Sequence, residues 1–171
     1  MSEEIRIYVA DLAAYNNGTL HGAWIDATLD VDDIQEQINK MLETSPTENA
    51  EEYAIHDYEG FGSYPLSEYE GIDAVHEVAC FIEEHEEMAA ELLSIFNGDI
   101  EQASKAIEEN YCGSHKSVAD YAEELTEGTV EIPEHLARYI DYIAMAHDME
   151  IGGDIFTIET GFEEVHIFWN H

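Results

Sequence analysis

The chain predicts an α+β fold, elongated and built of three small domains. These are a sheet plus helix, a helical bundle, and helices plus a sheet. Three observations carry this expectation. Runs with β-branched alternation fall near the two ends, at residues 5–9, 155–159 and 164–169. Apolar residues spaced by three and four fill the middle. Finally, 40 Asp and Glu face 5 Lys and Arg across 171 residues, for a formal net charge of −35 spread from Glu3 to Glu164. A compact globe repels itself at that charge density, whereas domains packed end to end keep the charges apart.

The expected boundaries are 1–61, 62–109 and 110–171. In the first domain, Ile5, Ile7 and Val9 mark a strand, and Asn16-Asn17-Gly18 is a turn signal. Residues 20–27, with Trp24 and Ile25, read as a second strand. Asp30 or Asp32 caps a helix whose apolar face is Ile34, Ile38, Met41 and Leu42, and Ser45-Pro46 ends it. Residues 52–58 give a third strand, closed by Glu59-Gly60-Phe61-Gly62.

In the second domain, Val75, Val78, Ala79 and Ile82 stripe a helix over 72–87. A helix over 88–96 stops at Asn97-Gly98. Asp99, with Gln102 placed for a capping box, starts another that buries Ile100, Ala103 and Ile107. In the third, residues 111–115 form a short strand, and Ser117 caps a helix through Val118, Ala122 and Leu125. Pro133 suits a first helical turn, with Leu136, Ile140, Ile143 and Ala144 as the buried stripe that follows. Gly152-Gly153 breaks that helix, and Thr160-Gly161 joins the last two strands into a hairpin.

Composition narrows the function. With 45% hydrophobic residues and only three Pro, the chain is expected to fold despite its charge. No run of about 18 apolar residues is present, so no membrane span is expected. Met1-Ser2-Glu3-Glu4 lacks the basic start of a signal peptide, and two Cys without a CxxC fit free thiols in a reducing cytoplasm. The charge repels DNA, RNA and anionic lipid and attracts proteins with basic clefts.

Motifs for chemistry are missing. There is no HExxH, Walker loop, GxGxxG or GxSxG. Asp30-Val31-Asp32-Asp33 opens like a calcium loop but lacks its Gly and closing Glu. His76 and Cys80 share a helical face that Glu84 extends, yet no second ligand pair completes a zinc site. His85, among Glu83, Glu84, Glu86 and Glu87, is expected to be exposed. Tyr53, Tyr58, Tyr64 and Tyr69 read as core or subunit contacts, since base stacking on nucleic acid needs a basic groove. No catalytic residue, metal or cofactor is expected.

The candidate binding residues are therefore carboxylates on outward helix faces: Asp32, Asp33, Glu36 and Glu43; Asp73, Glu77, Glu83, Glu84 and Glu87; Glu101, Glu108 and Glu109; Glu123 and Glu124. An acidic helix face on its own is ordinarily just a solvated face; the total, and the near absence of Lys and Arg, raise it above that. Carboxylates one helical turn apart, such as Asp73 with Glu77 or Glu84 with Glu87, sit about 5 to 6 Å apart, near the spacing of phosphates along a strand. B-DNA carries one charge per roughly 1.7 Å of axis, so 35 charges correspond to about 60 Å of duplex. A globe of this length is about 40 Å across, so only an extended chain of domains matches.

The opening Arg6-Ile7-Tyr8-Val9-Ala10-Asp11-Leu12-Ala13-Ala14-Tyr15-Asn16-Asn17-Gly18 resembles the N-terminal signature of the ArdA antirestriction family. So do Leu20-His21-Gly22-Ala23-Trp24-Ile25-Asp26-Ala27 and Glu52-Tyr53-Ala54-Ile55-His56-Asp57-Tyr58-Glu59-Gly60-Phe61, and residues 92–111 look like a further block around Phe96-Asn97-Gly98-Asp99. The resemblance implies a curved, three-domain homodimer that mimics bent B-DNA. It implies that the dimer occupies the methyltransferase core of type I restriction-modification enzymes, and that the protein is carried on mobile elements. The sequence does not place the dimer contact by residue; the C-terminal strands, with Phe168 and Trp169, are one candidate, because late aromatic strands need cover. One alternative is an acidic halophile-type cytosolic protein with no mimic role, against which Glu outnumbers Asp, 28 to 12. A metal-dependent enzyme is the other.

Overall fold

The computed structural model describes residues 4–170; the acidic start Met1-Ser2-Glu3 lies outside them. The fold is α+β, with helices and two antiparallel three-stranded sheets. It divides into two compact units, residues 1–100 and 101–171.

The first unit is organised around strand β1 (Arg6–Asp11), which lies between β2 (Gly22–Asp26) and β3 (Tyr53–Glu59), antiparallel to both. Alternation along β1 sends Ile7 and Val9, both 0% exposed, to one face and Arg6 and Tyr8 to the other. Helix α2 (Val31–Glu43) presents Ile34, Ile38 and Met41 as its buried stripe, on the i, i+4, i+7 spacing of one helix face. A register shift between Tyr8 and Val9 in the β1–β3 pair marks a bulge. Asp30 stands at the N-cap of α2 without a side-chain cap bond, and the helix ends at Thr44, just before Ser45-Pro46.

A short helix that the pattern did not foretell, α1 (Leu12–Asn16), follows β1 directly. Asp11 is its N-cap: Oδ1 accepts from Ala14 N at 3.2 Å, while the residue itself is fully buried. The backbone there is held by Asp11 N donating to His21 O and Leu12 N to Glu52 O.

Helix α3 (Ile72–His85) buries Val75, Val78, Ala79 and Ile82 as the periodicity predicts, with Ile72 and Phe81 in addition. It stops earlier than expected. Glu86 takes φ 52° and ψ −128°, which turns the chain out of the helix into a short 3₁₀ turn, Glu86–Met88. Glu84 and Glu87 therefore do not stand one turn apart on a common helix face. Helix α4 (Ala89–Ile95) ends at Phe96, and Asn97 and Gly98 both take positive φ, as the stop signal requires.

Helix α5 (Ile100–Lys105), all of it but Ile100 in the second unit, buries Ala103 and leads into a π-helical turn, Ala106–Asn110; Ile100 and Ile107, expected to be buried, are only half-buried. The second sheet has the order β4-β6-β5, with β4 (Tyr111–His115), β5 (Ile155–Gly161) and β6 (Glu164–Trp169). Ile155, Val165 and Ile167 on one face form a core with Tyr121 of helix α6 (Val118–Thr129), joined by Cys112, Leu125, Met149 and Trp169. Ser117 caps α6, its Oγ accepting from Asp120 N at 3.1 Å.

The helix expected after Pro133 is broken in two. Helix α7 (Glu134–Ala137) is a single turn, and α8 (Tyr142–Ile151) restarts at Asp141, whose Oδ1 accepts from Ala144 N at 3.0 Å. The restart resets the helical phase, so Leu136 and Ile143 cannot share one stripe. Both are exposed, by 48% and 77%; Ala144 is exposed and Ile140 half-buried. Of α8 only Ala146 is buried.

Candidate functional site

All fourteen carboxylates singled out from the helix pattern are exposed. Asp32, Asp33, Glu36 and Glu43 lie on α2; Asp73, Glu77, Glu83 and Glu84 on α3; Glu123 and Glu124 on α6. Glu101 lies on α5, Glu108 and Glu109 in the π-helical turn, and Glu87 in the 3₁₀ turn. Beyond these, every described Asp and Glu is exposed except buried Asp11 and half-buried Asp26 and Glu70.

The counter-charges near them are few. Lys40 Nζ lies 3.4 Å from Glu36 and Lys105 Nζ 4.0 Å from Glu109, each one helical turn apart and well exposed. Such pairs contribute about 0 to 1 kcal/mol and leave the surface negative. His85 lies 3.7 Å from Glu84, and His115 3.3 Å from Glu124. His85 is half-buried rather than exposed, because its ring packs 4.6 Å from that of Phe81 at the end of α3.

The His76–Cys80 face does not make a chelate. His76 Nδ1 donates to Ala27 O at 3.2 Å, and Cys80 Sγ stands 3.6 and 3.8 Å from the two ring nitrogens. Nearly equal distances place the sulfur over the ring rather than along one nitrogen's lone pair. Burial first, then the carboxylates of Glu83, Asp26 and Asp30, push the Cys80 thiol up, which opposes its use as a nucleophile at neutral pH. Among the described residues, no three His, Cys, Asp or Glu side chains converge to hold a metal ion. No helix among them is long and apolar enough to cross a membrane.

The tyrosines divide. Tyr53, Tyr58 and Tyr64 are half-buried, whereas Tyr69 is 72% exposed. Phe168, a candidate for the subunit contact, is fully buried, its ring stacked 4.9 Å from that of Phe156 and tilted 5.1 Å from that of Tyr111. The exposed apolar residues of the second unit lie elsewhere: Val130, Leu136, Tyr139, Ile143, Ile151 and Phe162.

Between α6 and α8 runs a groove of about 820 Å³. It joins Glu123 to Asp120, Asp141 and Glu150, which the helix pattern did not single out, with Ile140, Ile143 and Ala146 beside them. Tyr142, also in its lining, ionises above the ordinary 10.0, through desolvation first and then the Glu127 and Glu123 carboxylates.

The described residues thus define an acidic α+β protein whose carboxylates lie on the surface with few Lys or Arg beside them. The family model described as antirestriction protein (ArdA) matches residues 7–164. The chain belongs to the ArdA antirestriction family, and that membership implies interaction with restriction enzymes. No curated protein matches the chain.

Proposed function

We propose that the chain mimics bent B-DNA and competitively occupies the DNA-binding cleft of the methyltransferase core of type I restriction-modification enzymes. The observation that carries this is the placement of charge. Of 40 acidic residues in the sequence, the described ones are exposed apart from Asp11, Asp26 and Glu70, and only five Lys and Arg stand against them. A basic cleft evolved for phosphates meets a comparable density of negative charge, attracted at long range and screened by salt. Family membership supports the same partner.

In this reading the protein is not an enzyme and needs no cofactor. It acts in the cytoplasm, where it shields DNA entering on a mobile element. It works as a homodimer of chains divided into domains at 1–61, 62–109 and 110–171, and the 35 net charges of each chain equal those on about 60 Å of duplex. The exposed side chains of Val130, Leu136 and Tyr139 offer apolar surface that self-association would cover.

A competition titration tests the proposal. Purified methyltransferase core is saturated with labelled target duplex, and the protein is added. One dimer per core is expected to displace the duplex stoichiometrically. Simultaneous binding of both, or failure of excess duplex to release the protein, overturns competitive mimicry.

A further inference from the structure

The groove between α6 and α8 differs from a plain acidic face because it is partly apolar. Ile140, Ile143 and Ala146 line it, and Asp120, Glu123, Asp141 and Glu150 stand around them. Neither Lys nor Arg is in its lining. Ile143 is 77% exposed, although α8 is an apolar helix beside a ready-made wall of α6. Solvating charge needs no isoleucine there, and the groove's volume is in the range that holds side chains of a bound molecule.

We infer that this groove receives a basic amphipathic segment of the methyltransferase core, an apolar side chain resting on Ile143 and Lys or Arg side chains meeting the four carboxylates. The inference rests on the reading of the partner given above. Charge complementarity selects the occupant. A second copy docked groove to groove would set four carboxylates against the same four, with neither Lys nor Arg in the lining and His147 alone able to take a positive charge against them. Nucleic acid is repelled for the same reason.

The consequence is a contact that imitation of phosphates alone does not supply. Carboxylates meeting a basic cleft lose attraction as salt rises. Burying Ile143 against an apolar side chain is not screened, so it holds at high salt. The groove thus gives this inhibitor a salt-resistant share of its affinity.

The test uses the full-length protein and purified methyltransferase core, with calorimetric titrations over a salt series. Ile143→Ser is expected to weaken binding by about tenfold at low and high salt alike, the size of burying one aliphatic side chain. Ile143→Leu is expected to bind as the parent does. Glu101→Gln, a carboxylate control outside the groove, is expected to lose a small factor at low salt only. Because Ile143 is exposed, Ile143→Ser is expected to keep the parent melting temperature, which separates binding from folding. Parent-like binding of Ile143→Ser, or a loss that vanishes at high salt, overturns the inference. If that variant instead turns a dimer into a monomer in sedimentation, the occupant is a second copy and the inference is again overturned. A parent protein that does not bind the core at all overturns the partner reading itself, and the groove's occupant with it.

Discussion

Arg6 and Glu59 face each other across the β1–β3 ladder, with Arg6 Nη2 2.7 Å and Nε 2.8 Å from the same Glu59 oxygen. In a chain with five Lys and Arg, this cation is held on the outer face of a sheet, and its guanidinium also lies 4.5 Å from the centre of the Trp24 ring. Its partners come from β2 and β3, so Arg6 ties the three strands together over the face opposite Ile7 and Val9. Tyr8, 5.4 Å from Trp24, completes the cluster.

Arg6→Ala is therefore expected to destabilise the fold by about 1 kcal/mol, from the lost ring contact and a partly exposed ion pair. Arg6→Lys is expected to recover only part of this, because Lys offers no planar fork. Urea melts of the three proteins measure it; equal midpoints would show that the cluster adds nothing.

Two isoleucines with similar helical contexts in sequence should behave oppositely. Ile38→Ala, at a fully buried site on α2, is expected to cost about 2 to 5 kcal/mol. Ile143→Ala, at a 77% exposed site, should change stability by no more than about 0.5 kcal/mol. Calorimetric melting of both variants checks the contrast.

Alkaline pH should loosen the second unit. Burial, then the Cys112 contact, raises the Tyr121 ionisation above its ordinary 10.0, and burial, then Glu164, raises that of Tyr111. The folded state thus keeps phenolic protons that the unfolded chain releases. Their contribution is fully present below pH 10, falls as pH rises above the unfolded value, and is lost beyond the folded value. Melting temperature should fall above pH 10, and Tyr121→Phe should flatten that fall. An unchanged slope in the variant would remove Tyr121 as the cause.

Salt should act on fold and binding in opposite directions. Screening relieves self-repulsion at a net charge of −35, so moderate salt is expected to raise the melting temperature. Affinity for the enzyme should fall with salt, but less steeply than that of duplex DNA, because a protein surface lacks DNA's condensed ion atmosphere. A halophilic protein would instead unfold in dilute buffer. Melts and titrations across one salt series decide between them.

No single exposed carboxylate should act as a switch. Glu77→Gln is expected to change affinity by less than about fivefold, since an exposed pair contributes about 0 to 1 kcal/mol. Neutralising Asp73, Glu77 and Glu84 together along α3 should weaken binding stepwise. Complete loss from one change in a folded protein would point to a discrete site.

The sequence by itself determined what depends on local spacing and on totals. The stripe Ile34, Ile38 and Met41, the stop at Asn97-Gly98, the Ser117 cap and the final hairpin follow from periods, caps and turns that act within a few residues. The outward placement of the fourteen carboxylates follows likewise, because an ionised side chain without a partner stays in water. Tertiary structure decided the rest. Whether Asp11 was a surface acid or a buried cap depended on β1 and β3 closing around it. Whether Leu136 and Ile143 formed a stripe depended on the break that Asp141 caps, and whether Glu87 joined Glu84 depended on the turn at Glu86. The α6–α8 groove joins Asp120 and Glu123 to residues up to Glu150. Its lining is set by the packing of two helices distant in sequence, which no local period records.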